Sequence, residues 1–336
     1  WEDDNHDNGS TQNPDRGHGA PTKPYEPQHR PKGEHMFPMY VARPVTQREY
    51  ATSDAAQAAI TKENDRLTSI KCWDIEQPET RWKVEQTARD NGTDVHFADL
   101  MLVVVEKGSE LPFGSEGRKF KARLVLRGDQ VKDGFGQAAL FDELASCPAT
   151  LQSARAIDAA GSQVGWTVQQ ADAVTAFVQA PLTGTPTWVR LPPELRPAEW
   201  AHRRDMYVPL RLALYGHPQA SGMWEKHCTQ KLTECGWRPV FGWPSVFKHL
   251  ETKAVLTVYV DDFKLAAHAN EIQGLWDAIF ARIQMEPPTP ADKFLGCQHN
   301  PFEHLKDRPK NGERHGVRHV EPHASGGREV PRPERP

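Results

Sequence analysis

Two aspartates stand side by side at positions 261 and 262, inside an otherwise apolar run, AVLTVYVDDFKLAAH (254–268). Val255, Leu256, Val258, Tyr259 and Val260 precede them, and Phe263, Leu265 and Ala266 follow. That pattern reads as a hairpin with both charges at its tip. Adjacent like charges repel and add nothing to a core. Divalent cations change that balance. Mg²⁺ takes carboxylate oxygens in near-octahedral geometry and keeps water or substrate phosphate as its remaining ligands. Two such ions can clamp the attacking hydroxyl and the leaving pyrophosphate of a phosphoryl transfer. A third carboxylate must come from another strand, and Asp172, closing the strand-like WTVQQAD (166–172), is the candidate.

The elements that would position these groups follow from local pattern. ATSDAAQAAITKENDRLT (51–68) suits a helix capped by Ser53 or Asp54. LMLVVVEKG (100–108) and KARLVLRG (121–128) read as strands joined by a Gly-rich turn. An alanine-rich helix is expected over 147–165, strands over 166–172 and 187–192, and a helix over 218–236. Strands at 245–250 and 254–260 lead into the doubled Asp, and a third starts at Phe263. Over 269–284, Ile272, Leu275, Trp276, Ile279, Phe280 and Ile283 share one helical face. KFLGCQ (293–298) is expected to be one last short strand. Strands and helices alternating around antiparallel hairpins give an α+β fold.

Composition sets the limits of that domain. Hydrophobic residues make up 38% of the 336, and Pro (28) and Gly (24) are abundant. The deficit is concentrated at the ends: 1–35 and 301–336 hold too little apolar surface to repay the entropy of ordering. The expected division is a disordered polar segment over 1–50, a first region over 51–145, a carboxylate-bearing domain over 146–300, and a disordered tail over 301–336. The chain opens on Trp1 rather than Met and so reads as part of something longer. No stretch is apolar enough to span a bilayer, and no signal peptide is visible. The five cysteines form no CxxC pair and read as free thiols in a reducing compartment. A net charge of −4 argues against a nonspecific nucleic-acid coat. RKFKARLVLR (118–127) nevertheless carries five basic residues and no acidic one.

The motifs also carry a resemblance. Tyr259-Val260-Asp261-Asp262 resembles the YVDD box of reverse transcriptases. GWTVQQADAVTAFVQAPLTG (165–184) resembles the Ty1/copia version of the first polymerase motif, and LALYGHPQASGMWEKH (212–227) the copia-type L-Y-G-x-x-Q-A-x-x-x-W block. KFKARLV (119–125) is similar to the family's finger strand and KFLG (293–296) to its late strand. Five blocks in family order over 118–300 make the resemblance specific. It implies a right-hand polymerase with fingers over 51–145, an antiparallel palm sheet over 146–300, and RNA-directed DNA polymerase activity. Asp172 and Asp261 would ligate two Mg²⁺ ions, with Asp262 in support and Mn²⁺ as a substitute metal. Phe177 would be the steric gate under the sugar, and Lys121 and Arg123 would reach the triphosphate. Gly216 would let the backbone approach the nucleotide, with Gln219 nearby. The expected partners are an RNA or DNA primer–template, dNTPs, and the RNase H and integrase parts of a Pol polyprotein, which this chain lacks; no membrane is expected. The expected location is intracellular, in a cytoplasmic retrotransposon particle with a nuclear phase.

The chain departs from the family pattern in places. DAVTAF stands where D-V-K-T-A-F is common, HPQ (217–219) where L-K-Q is usual, and MEPPTPAD lacks a basic residue to protonate pyrophosphate. Lys264 and Lys293 are the nearest substitutes. Two other readings remain open: an inactive remnant that keeps the palm and at most binds nucleic acid, and an unrelated metal-dependent nuclease or phosphotransferase. The last leaves the LYGHPQASGMW and KARLV blocks unexplained.

Overall fold

The computed structural model describes residues 42–141, 146, 148–200, 202–203 and 205–299, all within the unit that starts at Tyr40. The polar ends expected to be disordered lie outside those residues, except for 42–50. There the expectation is corrected. The chain forms β1 (Arg43–Pro44) and α1 (Gln47–Thr52). Val45 and Tyr50 bury two apolar anchors, and Thr46 with Glu49 builds a reciprocal capping box.

Helix α2 (Asp54–Ser69) follows, capped by Ser53 as the sequence indicates. Next come β2 (Glu79–Thr80), α3 (Arg81–Asn91), β3 (His96–Lys107), β4 (Lys119–Leu126) and β5 (Lys132–Asp133). Helix α4 (Leu151–Gly161) leads to β6 (Trp166–Asp172), β7 (Thr187–Arg190) and β8 (Met206–Pro209). Helix α5 (Ala220–Glu234) precedes β9 (Trp237–Pro239), β10 (Val246–His249), β11 (Val255–Tyr259) and β12 (Asp262–His268). Helix α6 (Ile272–Phe280), β13 (Thr289–Pro290), β14 (Lys293–Phe294) and β15 (Cys297–Gln298) complete the described elements. The expected single strand at KFLGCQ is instead a tiny hairpin, because Leu295 and Gly296 both take positive φ and reverse the chain.

Beside that hairpin the described residues form two larger sheets, and the fold is α+β with antiparallel pairing dominant. The first has the order β1-β3-β7-β8-β2, with β4 and β5 also on β3. Only its β3–β7 pair is parallel. The sheets do not follow the boundary expected at 145/146: β7 and β8 come after it and return to pair on β3. Apolar side chains from both stretches fill one cluster, including Leu100, Leu124, Val189 and Val208.

The second sheet is fully antiparallel, β13-β6-β12-β11-β10-β9. Phe263, Leu265 and Ala267 share a face with Leu256 and Val258 through the β11–β12 register. Against them pack Trp224, Cys228 and Leu232 of α5 and Leu275, Trp276 and Ile279 of α6. The α6 residues are the stripe expected from the 3.6-residue period. Helix α4 covers the other face, close enough that a Cβ on Gly161 would meet Val168 at 2.0 Å. Cys72, Cys228, Cys235 and Cys297 are free, and no described helix is long and apolar enough to cross a membrane.

Candidate active site

Asp262 opens β12 and Asp172 closes β6, and their Cα atoms are direct partners in the antiparallel ladder. Opposite residues in such a ladder project to the same face, so the two carboxyl groups lie side by side and each influences the other's charge. Asp261 occupies the two-residue tip between Tyr259 and Asp262. Its carbonyl accepts from the amide of Ala173 at 2.7 Å, tying the hairpin to the residue after Asp172. The indole Nε1 of Trp224 donates to the Val260 carbonyl at 2.7 Å. Through that bond the tryptophan of the LYGHPQASGMW block fixes the tip from the α5 side.

Charge crowding is visible at both partners. Burial, then the charges of Asp261 and Asp172, push the Asp262 carboxyl up to about 6. Burial, then Glu286 and Asp261, raise Asp172 as well. Glu286 is a fourth carboxylate that no sequence motif singles out. Its amide donates to the Asp172 carbonyl at 2.8 Å, and only the turn-like MEPP context hints at that return. Backbone strain gathers at the same place. Val260 (φ 57°) and Thr175 (φ 54°) are β-branched residues in the left-handed region, each beside a carboxylate-bearing element. Such conformations cost on the order of 1–3 kcal/mol and persist where surrounding contacts enforce them.

The remaining site residues arrive from several elements. Alternation along β4 puts Lys119, Lys121 and Arg123 on the face opposite buried Ala122, Leu124 and Leu126. Burial lowers the Lys121 pKa first, then Arg123 and Lys107, while Glu63 and Asp261 act to raise it; Lys121 is therefore within electrostatic reach of the hairpin tip. The Arg123 guanidinium lies 5.6 Å from the centroid of the Tyr215 ring. Tyr215 in turn packs on Phe177, with centroids 5.1 Å apart. The sequence alone suggests no role for Tyr215, although it lies inside the LYGHPQASGMW block.

Gly216 and Gln219 fit the chemistry less directly. Gly216 (φ 85°) has its missing Cβ position within 2.1 Å of the Leu126 carbonyl oxygen, so close packing on the end of β4 already requires a glycine. Gln219 holds the N-cap position of α5 without a side-chain cap, and its amide donates to Nδ1 of His217 at 3.2 Å. Lys264 is not a spare proton donor. It is 1% exposed and is paired with Asp158 at 2.5 Å and with His299 at 2.7 Å. Lys293 lies exposed on β14.

His217, one of the departures from the family pattern, is buried and stacks edge-on against Phe141. Burial, then His96, press its pKa down to about 4. The folded protein holds it neutral while the unfolded chain protonates it below about 6.5. Stability is therefore lost as pH falls from about 6.5 to about 4, by up to about 3 kcal/mol. His217→Gln is expected to flatten that part of a melting-temperature profile against pH. An unchanged slope would contradict a neutral His217.

The donor set suits a hard divalent cation: Asp172, Asp261, Asp262 and Glu286 offer only carboxylate oxygens, and their repulsion is what a cation would relieve. Among the described residues no three such side chains converge as a ready-made metal cluster.

The family model described as reverse transcriptase (RNA-dependent DNA polymerase) matches residues 104–301, more than half of the chain. No curated protein matches. Among solved structures, a telomerase from Candida albicans in complex with a TWJ fragment of telomeric RNA is similar, with a TM-score of 0.36 and 8% identity. That match covers 71% of this chain and 48% of the telomerase chain, so the chain spans about half the length of that structure.

Proposed function

The chain belongs to the reverse transcriptase (RNA-dependent DNA polymerase) family, and we propose that it is the polymerase domain of a Ty1/copia-like retrotransposon. In this reading it extends a primer 3′-hydroxyl with dNTPs on an RNA or DNA template, inside a cytoplasmic particle whose DNA product passes to the nucleus. The observation that carries it is the row Asp172–Asp262 beside Asp261, on facing strands of an antiparallel sheet. Asp172, Asp261 and Asp262 would hold two Mg²⁺ ions, with Mn²⁺ as a substitute. Bound there, the ions supply charge neutralisation for the attacking and leaving oxygens.

The protein's own groups do the rest. Lys121 and Arg123 bind and orient the triphosphate. The basic strip Lys119, Lys121, Arg123 and Arg127 contacts template and primer phosphates, so binding should weaken steeply with salt. Phe177, braced by Tyr215, lies under the sugar and excludes a 2′-hydroxyl. Phe177→Val is expected to reduce discrimination against ribonucleotides by roughly 10²-fold, measured as the ratio of kcat/KM for dNTP and rNTP on an RNA template. A variant with unchanged discrimination would remove Phe177 from the sugar pocket.

A second reading rests on the lack of a three-donor cluster among the described residues. On that reading the chain keeps the fold and binds nucleic acid without extending it. RNA-templated primer extension with dNTPs separates the two.

A further inference from the structure

Helix α2 lies before the stretch that the family model matches, yet it turns a charge toward the site. Its buried stripe is Ala56, Ile60, Glu63 and Leu67, so Glu63 holds a position where an apolar residue is the rule. It is 5% exposed. An unpaired carboxylate there would cost several kcal/mol. Oε2 of Glu63 accepts from Nη2 of Arg66 at 2.8 Å and from its Nε at 3.2 Å. Nη1 of Arg123 is 3.8 Å from the same oxygen. Oε1 of Glu63 and Nη1 of Arg66 are buried with no hydrogen-bond partner.

A purely structural ion pair would be expected to satisfy those atoms. This one is arranged around a third group. Arg123 makes no side-chain hydrogen bond among the described residues; the Glu63 charge lies on one side of it and the Tyr215 ring on another. Its planar fork of donors stays uncommitted, as a bidentate phosphate contact requires. We propose that Glu63 is a positioning residue which, with Tyr215, sets Arg123 to receive the polyphosphate of an incoming nucleoside triphosphate. The identity of that ligand rests on the polymerase reading above.

The sign follows from the distances. Most of the Glu63 charge is spent on Arg66, so removing it gains Arg123 little free positive potential. Glu63→Gln leaves two guanidinium groups facing one neutral amide, and their repulsion displaces Arg123. If Glu63 instead competed with phosphate for Arg123, the same variant would bind more tightly.

The test uses the full chain as wild type, Glu63→Gln, Arg123→Gln and the double variant. Two quantities are read: the dNTP KM and kcat of primer extension, and the affinity for inorganic tripolyphosphate by calorimetry. Glu63→Gln is expected to raise both the KM and the tripolyphosphate Kd about tenfold, with kcat within about twofold. The double variant should be no worse than Arg123→Gln alone. Tighter binding, unchanged binding or additive losses would overturn the proposal. If Glu63→Gln does not fold, Tyr215→Leu removes the other support of Arg123 and carries the same expectation. A wild type that cannot extend a primer but shows the coupled tripolyphosphate losses would defeat the polymerase reading and leave the Glu63 role standing. A folded wild type that does not bind tripolyphosphate would overturn the Glu63 role whatever extension shows.

Discussion

Asp172→Asn and Asp261→Asn are each expected to cut primer extension by roughly 10³-fold or more while the protein stays folded. Asparagine keeps the shape of the side chain but removes the charge a cation needs. The stability side of this expectation runs opposite to the usual carboxylate. The Asp262 carboxyl is held at about 6 in the folded protein, above its ordinary value of 3.8. The folded state therefore binds more protons than the unfolded chain between about pH 4 and pH 6. Stability from this group is full below about pH 4 and is lost as pH rises through about 6, so at neutral pH the metal-free hairpin is strained. Asp262 is half-buried, and screening reduces the effect to on the order of 1 kcal/mol. Asp262→Asn should consequently raise the melting temperature at pH 7.5 and leave it nearly unchanged at pH 4. A melting temperature that falls at pH 7.5 would contradict the repulsion argument.

The second large effect is expected at Trp224. The ring is 2% exposed in the core under the second sheet, and its Nε1 holds the Val260 carbonyl. Trp224→Ala should cost about 3–5 kcal/mol, from lost burial and the cavity left behind. Trp224→Phe refills most of that volume and leaves the carbonyl without its donor, at about 1–2 kcal/mol. The informative quantity is activity. Val260 sits at φ 57°, a conformation that relaxes once the tip is released, so Trp224→Phe should lose more extension at 20 °C than its remaining folded fraction explains. Activity that tracks the folded fraction alone would assign Trp224 to packing.

Much of this site is legible in the amino-acid sequence. A doubled carboxylate between two β-rich runs has few physical uses, and the hairpin pattern around it places both charges at the tip. Asp172 is legible because its strand ends on it. The α6 stripe follows from helical periodicity. Other features depend on contacts between segments far apart in the chain. β7 and β8 join the first sheet through a parallel pair with β3, which no local pattern encodes. Residues 42–50 are lost in the polar composition around them, although Thr46 and Glu49 form a capping box. Glu286 reaches Asp172 only because the chain returns after α6. Glu63 does leave a trace, a carboxylate in the stripe Ala56–Ile60–Glu63–Leu67, but its meaning needs Arg123 opposite it. The family resemblance assigns Gly216 to nucleotide approach, whereas packing on Leu126 already demands it.

If the Asp172–Asp262 row and Asp261 form a working site for phosphoryl transfer, the protein must extend a DNA primer on an RNA template with dNTPs and Mg²⁺. Wild type and Asp261→Asn, run side by side in that assay, test the site most directly. The expected result is template-directed product from the wild type and none above background from the variant. A folded wild type that adds no nucleotide with either Mg²⁺ or Mn²⁺, or a variant that extends as well as the wild type, would contradict it.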